Sequence, residues 1–193
     1  MVDILAIYGY GGDIYVPSFI SKIGVLNAPF VGTLLRSCRG IPVNRAKAGA
    51  GTAAEITRRA KSLNEPPVAI FPEGTTTNGT AVGSFHKSAF LAGEPIKVIA
   101  IQYPWKHFSE AYDVIYFGPY AFRFFGQVYH EMKIKYLPLY VPSEEEKADP
   151  NVFCENVRDL LAKTLNVEKL DITFKDKVLL MEEIYNTKDI KDE

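Results

Sequence analysis

Between residues 14 and 103 the chain switches repeatedly between two hydrophobic periods, and that alternation restricts the folds open to it. Ile14 to Ile20 reads as a strand, and Ala28 to Arg36 carries Phe30, Val31, Leu34 and Leu35 at helical spacing. Cys38 to Arg45 alternates through Ile41 and Val43 and predicts a strand with Arg45 at its exit. Gly49 to Asn64 is amphipathic, with Ala53, Ile56, Ala60 and Leu63 on one face and Glu55, Arg58, Arg59 and Lys61 around the other. Asn64-Glu-Pro-Pro67 stops that helix. Val68 to Phe71, apolar throughout, and Ile96 to Tyr103 then read as further strands. This rhythm predicts an α/β single-domain sandwich in which a mixed, mostly parallel sheet is flanked by helices. Loops at the strand exits would gather at one edge, which makes Arg45 and Glu73 expected neighbours.

Composition narrows the function. A length of 193 residues fits one domain, and 47% hydrophobic with 12% aromatic residues predicts a packed core. A net charge of -1 without a basic stripe argues against nucleic acid as a partner. Cys38 and Cys154 are far apart in sequence, so free thiols and a cytosolic type of redox environment are expected. His86, His107 and His130 have no further His or Cys at ligand spacing, and no metal is expected. No apolar run reaches the roughly 18 residues of a membrane span. Met1-Val-Asp3-Ile-Leu-Ala-Ile-Tyr8 has neither a basic region nor a cleavage site, and reads as the inside of a helix that starts uncapped.

The stretch Pro72-Glu-Gly-Thr-Thr-Thr-Asn-Gly79 holds the candidate chemistry. Pro72 has no N–H for a ladder, Glu73 stands at the mouth, and Gly74 permits a sharp turn. The threonine hydroxyls and amides are suited to an oxyanion or phosphate, although Pro-Glu-Gly also makes ordinary turns. Phe85 to Leu91 is expected to be a short helix. From Trp105 to Phe125 aromatic residues crowd the chain, as either a core strand or hairpin or an amphipathic segment in a membrane interface. Met132 to Tyr140 predicts a strand, Pro142 to Pro150 a charged turn, and Asn151 to Leu165 a helix with Phe153, Val157 and Leu160 inward. From Glu168 the tail is charged, and is expected to be a loosely packed helix or partly disordered.

Together these motifs resemble a known family. Gly40-Ile-Pro-Val-Asn-Arg45 and Phe71-Pro-Glu-Gly-Thr75 resemble the second and third blocks of the glycerolipid acyltransferases. Thr75-Thr-Thr-Asn-Gly79, Ile101-Gln-Tyr-Pro104 and Tyr136-Leu-Pro-Leu-Tyr140 with Pro142-Ser-Glu-Glu-Glu-Lys147 resemble the branch that acylates lysophosphatidylcholine and lysophosphatidylethanolamine. The resemblance implies a glycerol-3-phosphate acyltransferase-like fold over residues 1–166, with 167–193 as a charged tail. It implies acyl-CoA as co-substrate with no bound cofactor, a lysophospholipid acceptor, and association with the endoplasmic reticulum or another endomembrane. Non-catalytic lipid binding on the same fold is the alternative.

By the same resemblance Asp3 closes the block His-x4-Asp, in which a histidine base is oriented by the aspartate. That histidine would stand ahead of Met1, so the 193 residues alone are expected to catalyse poorly. Arg45 would clamp the acceptor's phosphate, and Glu73, Gly74, Thr75 and Thr76 would shape the acceptor site. Much of the family has arginine where Thr76 stands, and its loss suits a phosphodiester headgroup carrying one charge. The resemblance makes the aromatic stretch from Tyr112 to Phe125 a candidate for resting on the membrane or lining the acyl path, with the core reading kept beside it.

Overall fold

A computed structural model describes residues 17–27, 31–43, 50–104, 109–112 and 114–186. These fall into two compact units, each assembled from separated stretches of chain. One draws on Met1–Phe71, Lys87–Glu94 and Pro142–Asn151, the other on Pro72–His86, Pro95–Val141 and Val152–Glu193.

In the first unit β1 (Ser18–Lys22) lies between β2 (Ile41–Val43) and β3 (Val68–Ala69), and both pairs are parallel. Helix α1 (Ile23–Leu26) and helix α2 (Val31–Ser37) lead from β1 to β2, and α3 (Ala50–Ala60) leads on toward β3. The core holds Phe19, Leu35, Ile41 and Ile56, with Phe71 stacked on Phe19 at 6.3 Å. Gly40 is needed where α2 turns into β2. A Cβ there would fall 2.9 Å from the Leu35 carbonyl oxygen and 3.3 Å from that of Phe19. Ser18 is fully buried and satisfied, its hydroxyl donating to the Cys38 carbonyl at 2.9 Å and its N–H to Pro67 at 2.8 Å. On α3, Arg58 and Arg59 both donate to Glu55, which pulls the Glu55 carboxyl down to about 2.

The second unit holds the antiparallel pair β5 (Ile96–Gln102) and β6 (Lys133–Tyr140), and the parallel pair β4 (Ala81–Val82) and β7 (Glu168–Lys169). Pro138 is tolerated in β6 because, among the described residues, that strand pairs on one side, with β5. Between β5 and β6 lies helix α4 (Phe117–Phe125). Helix α5 (Glu144–Ala148) belongs to the first unit. The long α6 (Pro150–Leu165) buries Phe153, Cys154, Val157 and Ala162, and Phe153 stacks on Tyr140 at 5.7 Å. Helix α7 (Phe174–Tyr185) follows β7. The α/β class and the mixed, mostly parallel pairing thus match the sequence expectation.

Several local expectations give way. Strand β3 stops at Ala69 and Phe71 is exposed rather than covered, since Pro66, Pro67 and Pro72 leave few donors for a longer ladder. Phe85 to Leu91 forms one 3-10 turn at Lys87–Ala89, because the His86 N–H donates to Pro72 instead of into a helix. The charged turn at Ser143 is the start of α5. Its hydroxyl accepts from Glu146 N at 3.2 Å while the Glu146 carboxylate accepts from Ser143 N at 2.7 Å, a closed capping box. In the tail from Glu168 the loosely packed helix is what the structure shows: β7 is followed by α7, none of whose residues is buried.

Within the aromatic stretch, Phe117–Phe125 is a helix. Its inner side stacks Tyr120 against Tyr112 at 4.9 Å and Phe124 against His130 at 4.2 Å. Its outer side carries Phe117, Phe122 and Phe125, 65%, 84% and 81% exposed. His130 is half-buried and bonded to Glu110 at 2.9 Å. Trp105, His107 and Phe108 lie outside the described residues. No helix among the described residues is long and apolar enough to cross a membrane.

Candidate functional site

The loop that follows Pro72 is held at each of its first residues. Glu73 is half-buried, and its Oε2 accepts the Gly83 N–H at 3.0 Å. Burial pushes its carboxyl above the usual carboxylate range, opposed by the Gly83 bond and by the charge of Arg158. Gly74 takes φ +64°, and a Cβ on it would fall 2.7 Å from both Cδ2 and Nε2 of the His86 ring. Glycine is therefore required twice over, by conformation and by space.

Thr75 is half-buried and Thr76 exposed. The Thr76 hydroxyl donates to the Tyr112 carbonyl. Lys177, from α7, donates to the Thr76 hydroxyl at 2.9 Å, to the Thr76 carbonyl at 3.1 Å and to the Tyr112 carbonyl at 3.1 Å. The same ammonium stands 5.4 Å from the centroid of the Tyr112 ring. The loop then closes on itself: Asn78 Oδ1 accepts from the N–H and the hydroxyl of Thr80, at 3.2 and 2.8 Å, and Gly79 takes φ +74°. A small cleft of about 120 Å³ lies beside it, with Thr77, Asn78, Thr80 and Gly83 on one side and Leu170 and Ile172 on the other.

The backing of this loop comes from the far end of the chain. Leu170 N donates to Val82 at 3.0 Å and Ser84 N to Ile172 at 3.1 Å, continuing the β4–β7 pairing. Arg158, only 4% exposed, donates to the Leu170 carbonyl at 2.7 Å and the Val82 carbonyl at 3.4 Å, and pairs with Asp171 at 3.0 Å. Gly83 sits where a Cβ would come within 3.0 Å of Glu73 Oε2 and 3.2 Å of the Ile172 carbonyl oxygen. Close packing at Gly83 is what brings its N–H onto Glu73.

Of the residues singled out from sequence, Glu73, Gly74, Thr75 and Thr76 share this loop, while Asp3 and Arg45 lie outside the described residues. His86 lies over Gly74. Sequence reasoning passed over Gly83, Arg158 and Lys177, and placed Tyr112 with the aromatic stretch rather than with this loop. Only Arg158 had a visible signal, as the one charge in the helical row Cys154, Arg158, Ala162, all of which are buried.

Comparison with known proteins places the molecule. The family described as Acyltransferase matches residues 2–102, more than half of the chain, and the chain belongs to that family. It is 38% identical over 169 residues to the lysophospholipid acyltransferase LPEAT1 of Arabidopsis thaliana, covering 83% of this chain and 42% of that protein. It is 37% identical over 171 residues to lysophosphatidylcholine acyltransferase 1 of Danio rerio, covering 85% of this chain and 33% of that protein. The chain thus spans less than half the length of these relatives. Among solved structures it is similar to the 1-acyl-sn-glycerophosphate acyltransferase PlsC from Thermotoga maritima, at 22% identity and a TM-score of 0.42, over 75% of this chain and 56% of that one.

Proposed function

We propose that this chain is the acyltransferase domain of an enzyme that moves an acyl group from acyl-CoA to the free hydroxyl of a lysophospholipid. The observation that carries the reading is the 35–38% identity, over more than four fifths of the chain, to proteins named for acyl transfer to lysophospholipids. In this reaction a base takes the proton of the acceptor hydroxyl, the oxygen attacks the thioester carbonyl, and CoA leaves as its thiol. A histidine five residues ahead of Asp3 would be the base, with Asp3 holding its tautomer. Reading the frame upstream of Met1 for that histidine checks this assignment directly.

The acceptor end is assigned to Glu73–Thr76, with Arg45 as the clamp on the acceptor's phosphate. Glu73 is fixed by Gly83 and by burial, so it holds one orientation toward whatever enters the loop. The membrane that delivers both lipids is met by α4. Its three outward phenylalanines suit the headgroup boundary of a bilayer, and Arg123, Lys133 and Lys135 nearby in sequence complement lipid phosphates. The cytosolic face of the endoplasmic reticulum or another endomembrane is the proposed setting.

The test is transfer of labelled acyl-CoA to lysophosphatidylcholine and lysophosphatidylethanolamine by a polypeptide carrying residues 1–193 together with the upstream frame. Turnover is expected, and Glu73→Ala should lower kcat/KM by about a hundredfold. No transfer to any lysophospholipid, or full activity in Glu73→Ala, would overturn the reading. Lipid binding without turnover would point to a binding module instead.

A further inference from the structure

We propose that Lys177 is a positioning residue for the acceptor loop, holding Thr76 in place from the C-terminal helix. This rests on the reading that Glu73–Thr76 receive the acceptor. Among the described residues the ammonium meets two oxygens of Thr76 and one of Tyr112, all within 3.1 Å. An ammonium carries three donors on a compact charge, so each of these contacts is a charge-assisted hydrogen bond.

The base of this lever is itself fixed. Ser84 N ties down the Ile172 carbonyl, and the next residue, Thr173, gives its N–H and its hydroxyl to Asp176 at 2.7 Å each. Lys177 follows directly on Asp176, so its side chain leaves a capped helix end rather than a loose tail. At the other end, Glu73 is anchored by the Gly83 N–H and Gly74 lies under the His86 ring. Residues 74–76 are therefore stretched between two fixed points, one made by β4 and one made by Lys177. The backbone amides and the Thr75 hydroxyl in that span face an acceptor only as accurately as both ends are held, and small displacements of binding groups are costly.

Lys177 does a second thing. Through the Tyr112 carbonyl it ties the loop to the residue on which Tyr120 of α4 packs. The acceptor loop and the aromatic helix thus share one cation as a common support. Lys177 does not meet substrate in this arrangement and acts through Thr76.

The experiment compares Lys177→Met, Lys177→Arg and Lys175→Met in the polypeptide that carries the upstream frame; Lys175 is exposed on the same helix. Lys177→Met should raise KM for the lysophospholipid about tenfold while KM for acyl-CoA stays within about twofold. Lys177→Arg should recover most of the loss, and Lys175→Met should match the wild type. An unchanged KM, or equal losses for both substrates without rescue by arginine, would overturn the proposal. If the wild type transfers no acyl group, the acyl-transfer reading fails separately, and amide hydrogen exchange at residues 75–78 decides the role of Lys177. Exchange several-fold faster in Lys177→Met than in Lys175→Met is expected, and equal rates would overturn it.

Discussion

The threonine loop and the aromatic helix both present side chains to solvent, yet they are held in opposite ways. The loop is fixed from behind by polar bonds to distant residues: Glu73 to Gly83, Thr76 to Lys177, and the strand behind them to Arg158. Helix α4 is fixed on its inner side by ring stacking, and leaves three phenylalanines outward. Directional bonds suit a site that must present groups at set angles. An apolar surface without direction suits a fluid partner that wets it anywhere.

That contrast can be broken experimentally. The largest effect should come from removing the outward rings. Phe117, Phe122 and Phe125 changed together to serine should weaken sedimentation with phosphatidylcholine and phosphatidylserine vesicles by about a hundredfold, with the melting temperature near that of wild type. Retained vesicle binding would show that the helix is not the contact. Next in size, Arg158→Met removes the guanidinium that bridges the Leu170 and Val82 carbonyls and Asp171, and should cost about 3 kcal/mol in urea unfolding, since a buried charge-assisted network is lost. Gly83→Ala should cost about 1 to 2 kcal/mol, because the new methyl crowds Glu73 and Ile172, and it should leave vesicle binding untouched.

The smallest effect concerns pH. Burial raises the Glu73 pKa in the folded chain, so this group favours folding most at a pH below its unfolded value, about 4.3, and that contribution is lost as pH rises through the folded value. Glu73→Gln keeps an acceptor for the Gly83 N–H without the buried charge. Its stability relative to wild type should therefore rise between pH 4 and pH 8 in thermal melts. A relative fall over that range would show that Arg158 outweighs burial at Glu73.

Much of the architecture could be read from hydrophobic period. Ile41 and Val43, Ile96 to Gln102, and the helices at 50–60 and 150–165 stand where alternation or 3.6-residue spacing placed them, because each period is local and unbroken. The loop's residues were legible too, through Pro72, Gly74 and the threonines. Its support was not. A two-residue parallel pair between Ala81–Val82 and Glu168–Lys169 leaves no mark in either segment, as its partners differ in type and lie far apart. Position 76, a threonine, suggested a loop short of one cation, whereas Lys177 places an ammonium there from a helix that looked like a tail. Local patterns name elements, but long-range polar contacts are set by topology. The capping box at Ser143 and Glu146 is the reverse case, a local signal plainly present in the spacing and overlooked among the surrounding charges.

The bond between Thr76 and Lys177 spans 101 positions of the chain. During synthesis the loop emerges long before its clamp, and the clamp exists only once α7 has left the ribosome. Contacts of such high sequence separation form late, after shorter-range strands and helices have paid for chain closure. The threonine loop is therefore expected to be among the last parts of the protein to mature. A nascent chain halted before Lys177 would hold most of its secondary structure and still lack this clamp, so the emergence of α7 sets when the threonine loop can take its final form.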